Sequence, residues 1–287
     1  MKLSVEAPAK INRELRVGRI GGDGFHEVFS RMVSIDLADR LTAEESSELE
    51  FSCDDPNVPT GDANLVVRAA RLLSVRAGIA PHVKLRLEKT VPMGGGLGGG
   101  SADAGVTLLL LSRFWDLAPD AVTWLPELAA QIGSDVPFFL TGGQADVTGR
   151  GEIVTPVADF PETPLLLLVP PFPVSTAAVY HAYAGRGALP ARLAVADSAH
   201  RGLLGPNDLA PAVLEVEPRM EPYLASVAKL TDDFAISGSG ATIALAAAPG
   251  AQEVLARRHP EARIFSCRTL TRHSYGYRTN TIAGAAE

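Results

Sequence analysis

Apolar and polar residues alternate in short runs through the first 55 residues, a pattern that predicts strands. The runs are KLSVEA, ELRV, SRMVSIDL, RLTAEE and ELEFSC, and turn-forming stretches such as GGDG and DDPN separate them. A later alternating run, HVKLRLEKTVP, predicts another strand at residues 82–92. Short strands therefore dominate the predicted structure of the N-terminal part of the chain.

Apolar residues at helical spacing predict two helices around that last strand. The first covers ANLVVRAARLLSVRAG and ends on Gly78, a typical C-cap. The second covers ADAGVTLLLLSRFWDL, is apolar enough to be buried, and follows Ser101, a residue suited to the N-cap. In the first helix, the positions at helical spacing are Leu65, Ala69, Leu72 and Arg76.

The second half of the chain has its own set of strands and helices. LPELAAQIG, STAAVYHAYA and AQEVLARRH predict helices, PLLLLVPP and ARIFSC predict strands, and DFAISGSGATIALAA predicts two strands around a glycine turn. GSDVPFFLTGGQA and residues 190–205 are expected to be loops. The pattern predicts an α+β architecture of two closely joined lobes, divided into residues 1–160 and 161–287.

Composition and charge exclude several classes of protein. The net charge of −7 argues against a nucleic-acid partner held by bulk electrostatics. Two cysteines, Cys53 and Cys267, are too few for a disulfide framework and lack the spacing of a zinc site. The charged N-terminus does not resemble a signal peptide, and the apolar runs are too short to span a bilayer. We expect a cytoplasmic protein without a membrane partner, and nothing in the sequence predicts its oligomeric state.

A glycine-rich stretch joins the strand at residues 82–92 to the following helix, and six of the seven residues 94–100 are glycine. In such an arrangement backbone N–H groups and a helix N-terminus converge on an anion, so phosphate binding is the leading interpretation. A Walker A loop is excluded because Ser101-Ala102 follows the last glycine in place of Lys-Ser/Thr. A dinucleotide fold is disfavoured because Asp116 follows a helix rather than a second strand. A merely flexible turn is the remaining alternative.

The stretch PMGGGLGGGSADAG resembles the phosphate-binding loop of the GHMP kinases, a superfamily of small-molecule kinases. It is most similar to the branch that acts on a cytidine diphosphate-linked methylerythritol in non-mevalonate isoprenoid biosynthesis. APAKINREL, DGFHE, GSDVPFFLTGGQADVTGRGE, GPNDL and ISGSGAT resemble further motifs of that branch, in the same order. Arg13-Glu14, Phe25 and Ile236 depart from the usual pattern, and none of these departures affects an acid or base.

The resemblance implies a catalytic group of Lys10 and Asp135, with Asn12 contacting substrate. Taken alone, an aspartate in GSDVPFF is better explained as a turn or cap residue, and a lysine in PAKIN as a strand lysine facing water. In the family, the matching aspartate is the proposed general base. The matching lysine lies beside it and offsets charge on the transferred phosphoryl group.

The resemblance also implies the residues that bind the two nucleotides. An aromatic–histidine pair contacts cytosine in the family, and this corresponds to Phe25 and His26, with Tyr180 closing the other face and Thr176 nearby. Asn64 and Lys89 are implied at the ATP base. The residues expected around the ATP phosphates are Pro92, Met93, Gly94, Gly95, Gly96, Leu97, Gly98, Gly99, Gly100, Ser101 and Ala102.

These observations predict an ATP-dependent kinase that phosphorylates the 2-hydroxyl of the cytidine diphosphate-linked methylerythritol. Mg²⁺ is expected as the ion bound to ATP, although no residue cluster identifies a protein ligand for it. A GHMP kinase acting on another small alcohol is one alternative, and DGFHE argues against it. A non-catalytic ATP-binding protein is the other, and the presence of both Lys10 and Asp135 argues against that.

Overall fold

The computed structural model describes residues 1–22, 24–118, 123–186 and 202–280, together with the backbone of residues 282–283. Its strands form two sheets. The first sheet has the order β11-β1-β2-β4-β3, and β5 pairs with both β2 and β6. Its strands are β1 (Lys2–Ile20), β2 (His26–Glu44), β3 (Leu49–Cys53), β4 (Val83–Glu88), β5 (Gln144–Thr148), β6 (Ile153–Pro156) and β11 (Ile282–Ala283).

The second sheet lies in the C-terminal part of the chain and has the order β10-β7-β9-β8. Its strands are β7 (Pro164–Val169), β8 (Phe234–Ile236), β9 (Ile243–Ala246) and β10 (Arg263–Arg268). The helices of the chain are α1 (Leu65–Ala77), α2 (Gly99–Phe114), α3 (Leu125–Ile132), α4 (Thr176–Ala184), α5 (Ala210–Val216), α6 (Glu221–Val227), α7 (Ala251–Arg258) and α8 (Arg272–Thr279). The predicted α+β class is confirmed, whereas the division at residues 160 and 161 stays a prediction.

The first two strands are much longer than the sequence pattern indicated. KLSVEA and ELRV belong to the single strand β1, and SRMVSIDL and RLTAEE belong to β2. The pairing of β1 with β2 shifts register between Pro8 and Lys10 and again between Asn12 and Glu14. Each shift interrupts the strict two-residue alternation, which divides one bent strand into two apparent ones.

The helices α1 and α2 cover the first sheet and form its core with it. The helix α1 begins after its N-cap Asn64 and ends at Gly78, whose φ of 67° confirms the predicted C-cap. Its buried face is centred on Val66, Ala70 and Leu73. Of the predicted face, Ala69 is buried and Leu65 and Leu72 are partly buried against the core, whereas Arg76 is exposed, so the prediction was wrong only at Arg76.

Two local expectations need correction. Ser101 is not the N-cap of α2: the helix begins at Gly99, and Gly98 is its N-cap, with a left-handed φ of 69°. The chain can turn into the helix earlier because glycine adopts that conformation without steric cost. The segment GSDVPFFLTGGQA is not entirely a loop, since Val136–Leu140 forms a 3₁₀ helix and β5 begins at Gln144. Most of the loop expected at residues 190–205 lies outside the described residues.

The end of the chain returns to the first sheet. The helix α8 buries Tyr275, whose hydroxyl donates to the carbonyl of Phe139 at 2.6 Å. The ring of Tyr275 lies so close to Gly142 that a Cβ there would be 2.2 Å from it. Beyond α8, Ile282 pairs with Ser4 of β1. Within the described residues, no helix combines the length and apolar character that a membrane crossing requires.

Candidate active site

The glycine-rich segment between β4 and α2 lines a cavity of about 340 Å³. Gly94, Gly96 and Gly98 have φ values of 68°, 75° and 69°, in the left-handed region that other residues rarely adopt. The segment therefore bends three times before α2 begins, and it brings backbone groups and the N-terminus of α2 to one cavity. Besides this segment, Leu65 and Lys89 line the cavity. Of the predicted phosphate-loop residues, Pro92 to Ser101 line it, and Ala102 is buried behind it.

The second sheet holds this segment in place. The hydroxyl of Ser237 donates to the carbonyl of Gly96 at 2.9 Å, and the N–H of Thr242 donates to the carbonyl of Gly95 at 3.2 Å. A Cβ at Gly96 would lie 2.1 Å from the carbonyl oxygen of Ser237, so only glycine fits. The side chain of Asn207 donates to the carbonyls of Ile236 and Gly238 and fixes the turn that makes these contacts. The ISGSGAT and GPNDL motifs thus support the glycine-rich segment.

Lys10, Asn12 and Asp135 lie together, as the resemblance implied. Lys10 and Asn12 lie on β1, and both are buried, at 3% and 4% exposed. The Lys10 ammonium donates to Asn12 Oδ1 at 2.7 Å and to the Gly96 carbonyl at 3.1 Å, and it lies 3.6 Å from Asp135 Oδ2. The Asn12 amide donates to Ser30 Oγ at 2.7 Å. Lys10 is therefore not a strand lysine facing water, because its charge is directed inward at the glycine-rich segment and Asp135.

The backbone around Asp135 is fixed by tight packing. Asp135 directly precedes the 3₁₀ helix, whose Phe138 and Phe139 are fully buried. The helix α2 packs so closely on this turn that a Cβ at Gly105 would lie 2.7 Å from Phe139 Cβ. The Asp135 side chain itself remains 34% exposed. A rigid support therefore holds a carboxylate that is open to a cavity.

This second cavity, which we call the acceptor cavity, has a volume of about 170 Å³ and meets the first at Gly96 and Gly98. Lys10, Asn12 and Asp135 line it, together with Tyr180 and Ser239. Thr176 lines it as well, and its hydroxyl is hydrogen-bonded to that of Ser239 at 2.7 Å. A group bound here would lie between a carboxylate, an ammonium and the glycine-rich segment.

A third cavity, of about 440 Å³, is lined by Phe25 and His26, and we call it the Phe25–His26 cavity. Phe25 lies at the edge of this cavity and is 52% exposed. His26 Nδ1 is 2.8 Å from the carbonyl of Gly18, and its ring centroid is 5.5 Å from that of Tyr180. Burial, and secondarily the charge of Asp135, raises the pKa of Tyr180 to about 12, so its hydroxyl stays protonated. The three predicted cytosine residues thus border adjoining cavities.

Lys89 and Asn64 already have partners within the protein. The Lys89 ammonium is bonded to the carboxylates of Asp39 and Asp103, at 2.5 and 2.8 Å, and all three side chains are buried. Burial disfavours the charged ammonium, but Asp103 and Asp39 outweigh this effect and raise the pKa of Lys89. Burial raises the pKa of Asp103 to about 8. Asn64 caps α1 through Oδ1 and donates from Nδ2 to the Pro59 carbonyl. Their predicted contacts with the ATP base stay predictions.

Sequence reasoning did not identify several residues at these cavities. Asp39 and Asp103 hold Lys89, and Asp39 also accepts the N–H of Val91 at 2.8 Å, just before the glycine-rich segment. Ser30 orients Asn12, and Arg150 lines two of the cavities. β2 carries several other charged residues, among them Asp36 and Arg40, so no local signal distinguished Asp39. The other contacts join residues distant in sequence.

No cluster of three or more histidine, cysteine, aspartate or glutamate side chains suited to a metal occurs within the described residues. A magnesium ion bound to ATP does not require one, because Mg²⁺ keeps several waters and is held largely by the phosphates. The glycine-rich cavity fits the phosphates themselves, with left-handed glycines and a helix N-terminus at its wall.

Comparison with known proteins places this arrangement among kinases. Residues 64–143 match the family model described as the GHMP kinases N terminal domain. A 4-diphosphocytidyl-2-C-methyl-D-erythritol kinase of Salinibacter ruber is 36% identical over 85% of this chain and 89% of its own length. One from Caldanaerobacter subterraneus subsp. tengcongensis is 41% identical over 63% of this chain, and that alignment spans 62% of the relative's length.

A solved structure of such a kinase is similar to this chain over nearly its whole length. The crystal structure of a 4-(cytidine 5'-diphospho)-2C-methyl-D-erythritol kinase superposes with a TM-score of 0.76 and 33% sequence identity. The superposition covers 93% of this chain and 98% of the other. The fold of nearly the whole chain therefore has a counterpart in one solved structure.

Proposed function

The chain belongs to the 4-diphosphocytidyl-2-C-methyl-D-erythritol kinase family of the GHMP kinases, and from this membership we propose that it transfers the γ-phosphoryl group of ATP to the 2-hydroxyl of that erythritol derivative. The observation that carries the proposal is the junction at Gly96 and Gly98. There the glycine-rich cavity meets the acceptor cavity beside Lys10 and Asp135. A donor phosphate and an acceptor hydroxyl would meet at this junction.

Asp135 accepts the proton of the reacting hydroxyl. Its carboxylate is partly exposed in the acceptor cavity, so a substrate hydroxyl can reach it, and it accepts the proton as the oxygen attacks the phosphorus. Lys10 supplies a fixed positive charge beside the transferred group and keeps its position through its bonds to Asn12 and Gly96. Little chemistry is asked of the protein beyond alignment and charge compensation.

The glycine-rich segment holds the phosphates of ATP, and Mg²⁺ bound to those phosphates supplies further compensation of their charge. The N-terminal amides of α2 and the three left-handed glycines support this role. Lys89 contributes by fixing the wall of the cavity, because its ammonium is already bonded to two carboxylates. Asn64 would contact the base from the start of α1, where it caps the helix.

Phe25, His26 and Tyr180 bind the cytosine, with Thr176 as a polar neighbour. The Gly18 carbonyl can only accept a hydrogen bond, so His26 Nδ1 carries the proton and Nε2 of the neutral ring is an acceptor. Cytosine presents an exocyclic amino group as a donor, whereas uracil presents a carbonyl at the same position. The histidine is therefore set to favour cytosine over uracil.

A phosphate-transfer assay tests the proposal directly. Purified protein is offered ATP with the cytidine diphosphate-linked methylerythritol, and separately with homoserine, galactose and mevalonate. We expect product only with the first acceptor, and none with the Asp135→Asn variant. Transfer to another of these alcohols instead would indicate a GHMP kinase of different specificity. ATP binding without transfer to any acceptor would indicate a non-catalytic ATP-binding protein.

A further inference from the structure

Arg150 lies in the turn between β5 and β6, and the backbone holds this turn beside the acceptor cavity. The flanking residues Gly149 and Gly151 have left-handed φ values of 71° and 121°. The Val28 N–H donates to the Gly149 carbonyl at 2.8 Å, which attaches the turn to β2. A Cβ at Gly151 would lie 3.6 Å from Asp135 Oδ1, so the turn also borders the catalytic carboxylate. The backbone of Arg150 is thus held beside Asp135 by the pairing of its turn with β2.

The Arg150 side chain is shared by two cavities. It lines the acceptor cavity with Asp135 and the Phe25–His26 cavity with His26. Its guanidinium carbon lies 5.3 Å from the centroid of the Phe25 ring, and the side chain is 36% exposed. Nε forms an ion pair with the Glu152 carboxylate at 3.9 Å, a separation beyond hydrogen-bond distance, so the N–H groups of the guanidinium are not used by Glu152. The guanidinium therefore retains the capacity to bind an anion at the boundary between the cavities.

The chemistry of the substrate identifies that anion. In the proposed function, which this inference depends on, a diphosphate joins the reacting alcohol to the cytidine. With the alcohol at Asp135 and the base at Phe25 and His26, the diphosphate would pass the side chain that lines both cavities. We propose that Arg150 binds this diphosphate and thereby sets the specificity for an acceptor linked to a nucleoside diphosphate. A guanidinium suits this role because its planar N–H groups bind two phosphate oxygens at once.

Charge supports the same assignment. The carboxylate of Asp135 is exposed to one cavity, and Glu27 and Glu152 line the other together with Arg19, so a diphosphate that spans the two cavities passes three carboxylates. Lys10 is already bonded to Asn12 and to the Gly96 carbonyl, close to the transferred phosphoryl group. Arg150 offsets the repulsion at the point where the cavities adjoin.

Equilibrium binding of cytidine diphosphate and of cytidine to the full chain separates this contact from binding of the base. Wild-type protein is expected to bind the diphosphate more tightly than the nucleoside. Arg150→Gln should weaken cytidine diphosphate binding by about 10–100-fold and change cytidine binding by less than about threefold, because only the charge-assisted contact is lost. Arg150→Lys should recover part of the loss, since it keeps the charge without the planar fork.

Arg19→Gln is the matched control, since it removes the same charge from the Phe25–His26 cavity but not from the acceptor cavity. It should leave the ratio of the two affinities within about threefold of wild type, because general charge effects at the cavity rim are small. A larger effect of Arg19→Gln than of Arg150→Gln would overturn the assignment.

Two further outcomes are decisive. Equal weakening of both ligands by Arg150→Gln would show a structural role and overturn the inference. Suppose that wild-type protein binds cytidine diphosphate and phosphorylates the proposed acceptor. If Arg150→Gln then equals wild type in both binding and phosphorylation, the inference about Arg150 is wrong and the proposed function still holds. If wild-type protein neither binds cytidine diphosphate nor phosphorylates that acceptor, the proposed function fails and the inference fails with it.

Discussion

Replacement of Gly98 by alanine should slow phosphoryl transfer by displacing Lys10, in addition to any effect on ATP binding. Gly98 has a φ of 69°, and a Cβ there would lie 3.1 Å from both Cε and Cγ of Lys10 and 3.0 Å from Cζ of Phe139. Phe139 is fully buried, so Lys10, which borders the acceptor cavity, is the side chain that must shift by a few tenths of an ångström. The added methyl group would therefore press on the lysine that faces Asp135.

The size of the effect follows from two contributions. A left-handed conformation costs an alanine about 1–2 kcal/mol, which should appear as lost stability. Displacing Lys10 by a few tenths of an ångström weakens its alignment with the transferred phosphoryl group. Because errors of about 1 Å in alignment can cost about 100-fold in rate, a shift of a few tenths of an ångström should lower kcat by about 3–10-fold.

Gly94→Ala is a matched control in the same segment. Gly94 has nearly the same φ, 68°, but a Cβ there would meet only Pro173 Cβ at 3.5 Å, an ordinary contact. Both variants should lose similar stability in urea unfolding. In steady-state kinetics with the cytidine diphosphate-linked acceptor at saturating ATP, Gly98→Ala should lose about 3–10-fold more kcat than Gly94→Ala. Equal kcat values for the two variants would refute the argument that Gly98 acts on Lys10.

Three other predictions concern the base, the cytosine and a buried charge. Asp135→Asn should lower kcat by about 100-fold or more while ATP still binds in a filter-binding assay, because the carboxylate lies outside the lining of the glycine-rich cavity; near-normal turnover would remove it from the mechanism. His26→Ala should reduce the preference for the cytidine over the uridine form of the acceptor by about tenfold, measured as a ratio of kcat/KM values, and an unchanged ratio would exclude the assigned acceptor role of Nε2. Burial raises the pKa of Asp103 above its ordinary value of 3.8, so the folded state keeps this proton to higher pH than the unfolded chain does; the resulting contribution to stability is fully present below 3.8 and is lost as the pH rises through the raised value. Asp103→Asn should flatten the decline of unfolding free energy across that window, and parallel pH profiles for variant and wild type would contradict the assignment.

The sequence identified the parts of the site that depend on local chain geometry. A strand, a run of glycines and an apolar helix in succession predicted the phosphate segment, and Gly78 correctly predicted the end of α1. The predicted N-cap of α2 was wrong because the preference of serine for N-caps is visible in the sequence, whereas the left-handed conformation of Gly98 is not. Five other glycines surround Gly98, so its residue type alone did not indicate that the helix begins there.

The arrangement of Lys10 and Asp135 that we propose to be catalytic was accessible only through resemblance. Lys10 and Asp135 are far apart in sequence, and each residue alone favoured an ordinary structural explanation. What places them 3.6 Å apart is the packing of the Asp135 turn against α2 and the bend of β1. The buried contact of Lys89 with Asp39 and Asp103 is similarly non-local, and no spacing rule relates these three residues.

The return of α8 to the first sheet sets the order in which the molecule can be completed during synthesis. β1 leaves the ribosome before the rest of the described chain, yet its neighbour β11 comes from residues 282–283. The turn that carries Asp135 is likewise held by Tyr275, through the carbonyl of Phe139. A nascent chain stalled before Arg272 would carry every residue of the three cavities and still lack the helix that braces its catalytic turn. The contacts of β1 with β11 and of the Asp135 turn with α8 need the last described residues, so they form last. The sheet whose first strand is synthesised earliest is therefore also the sheet that is completed latest.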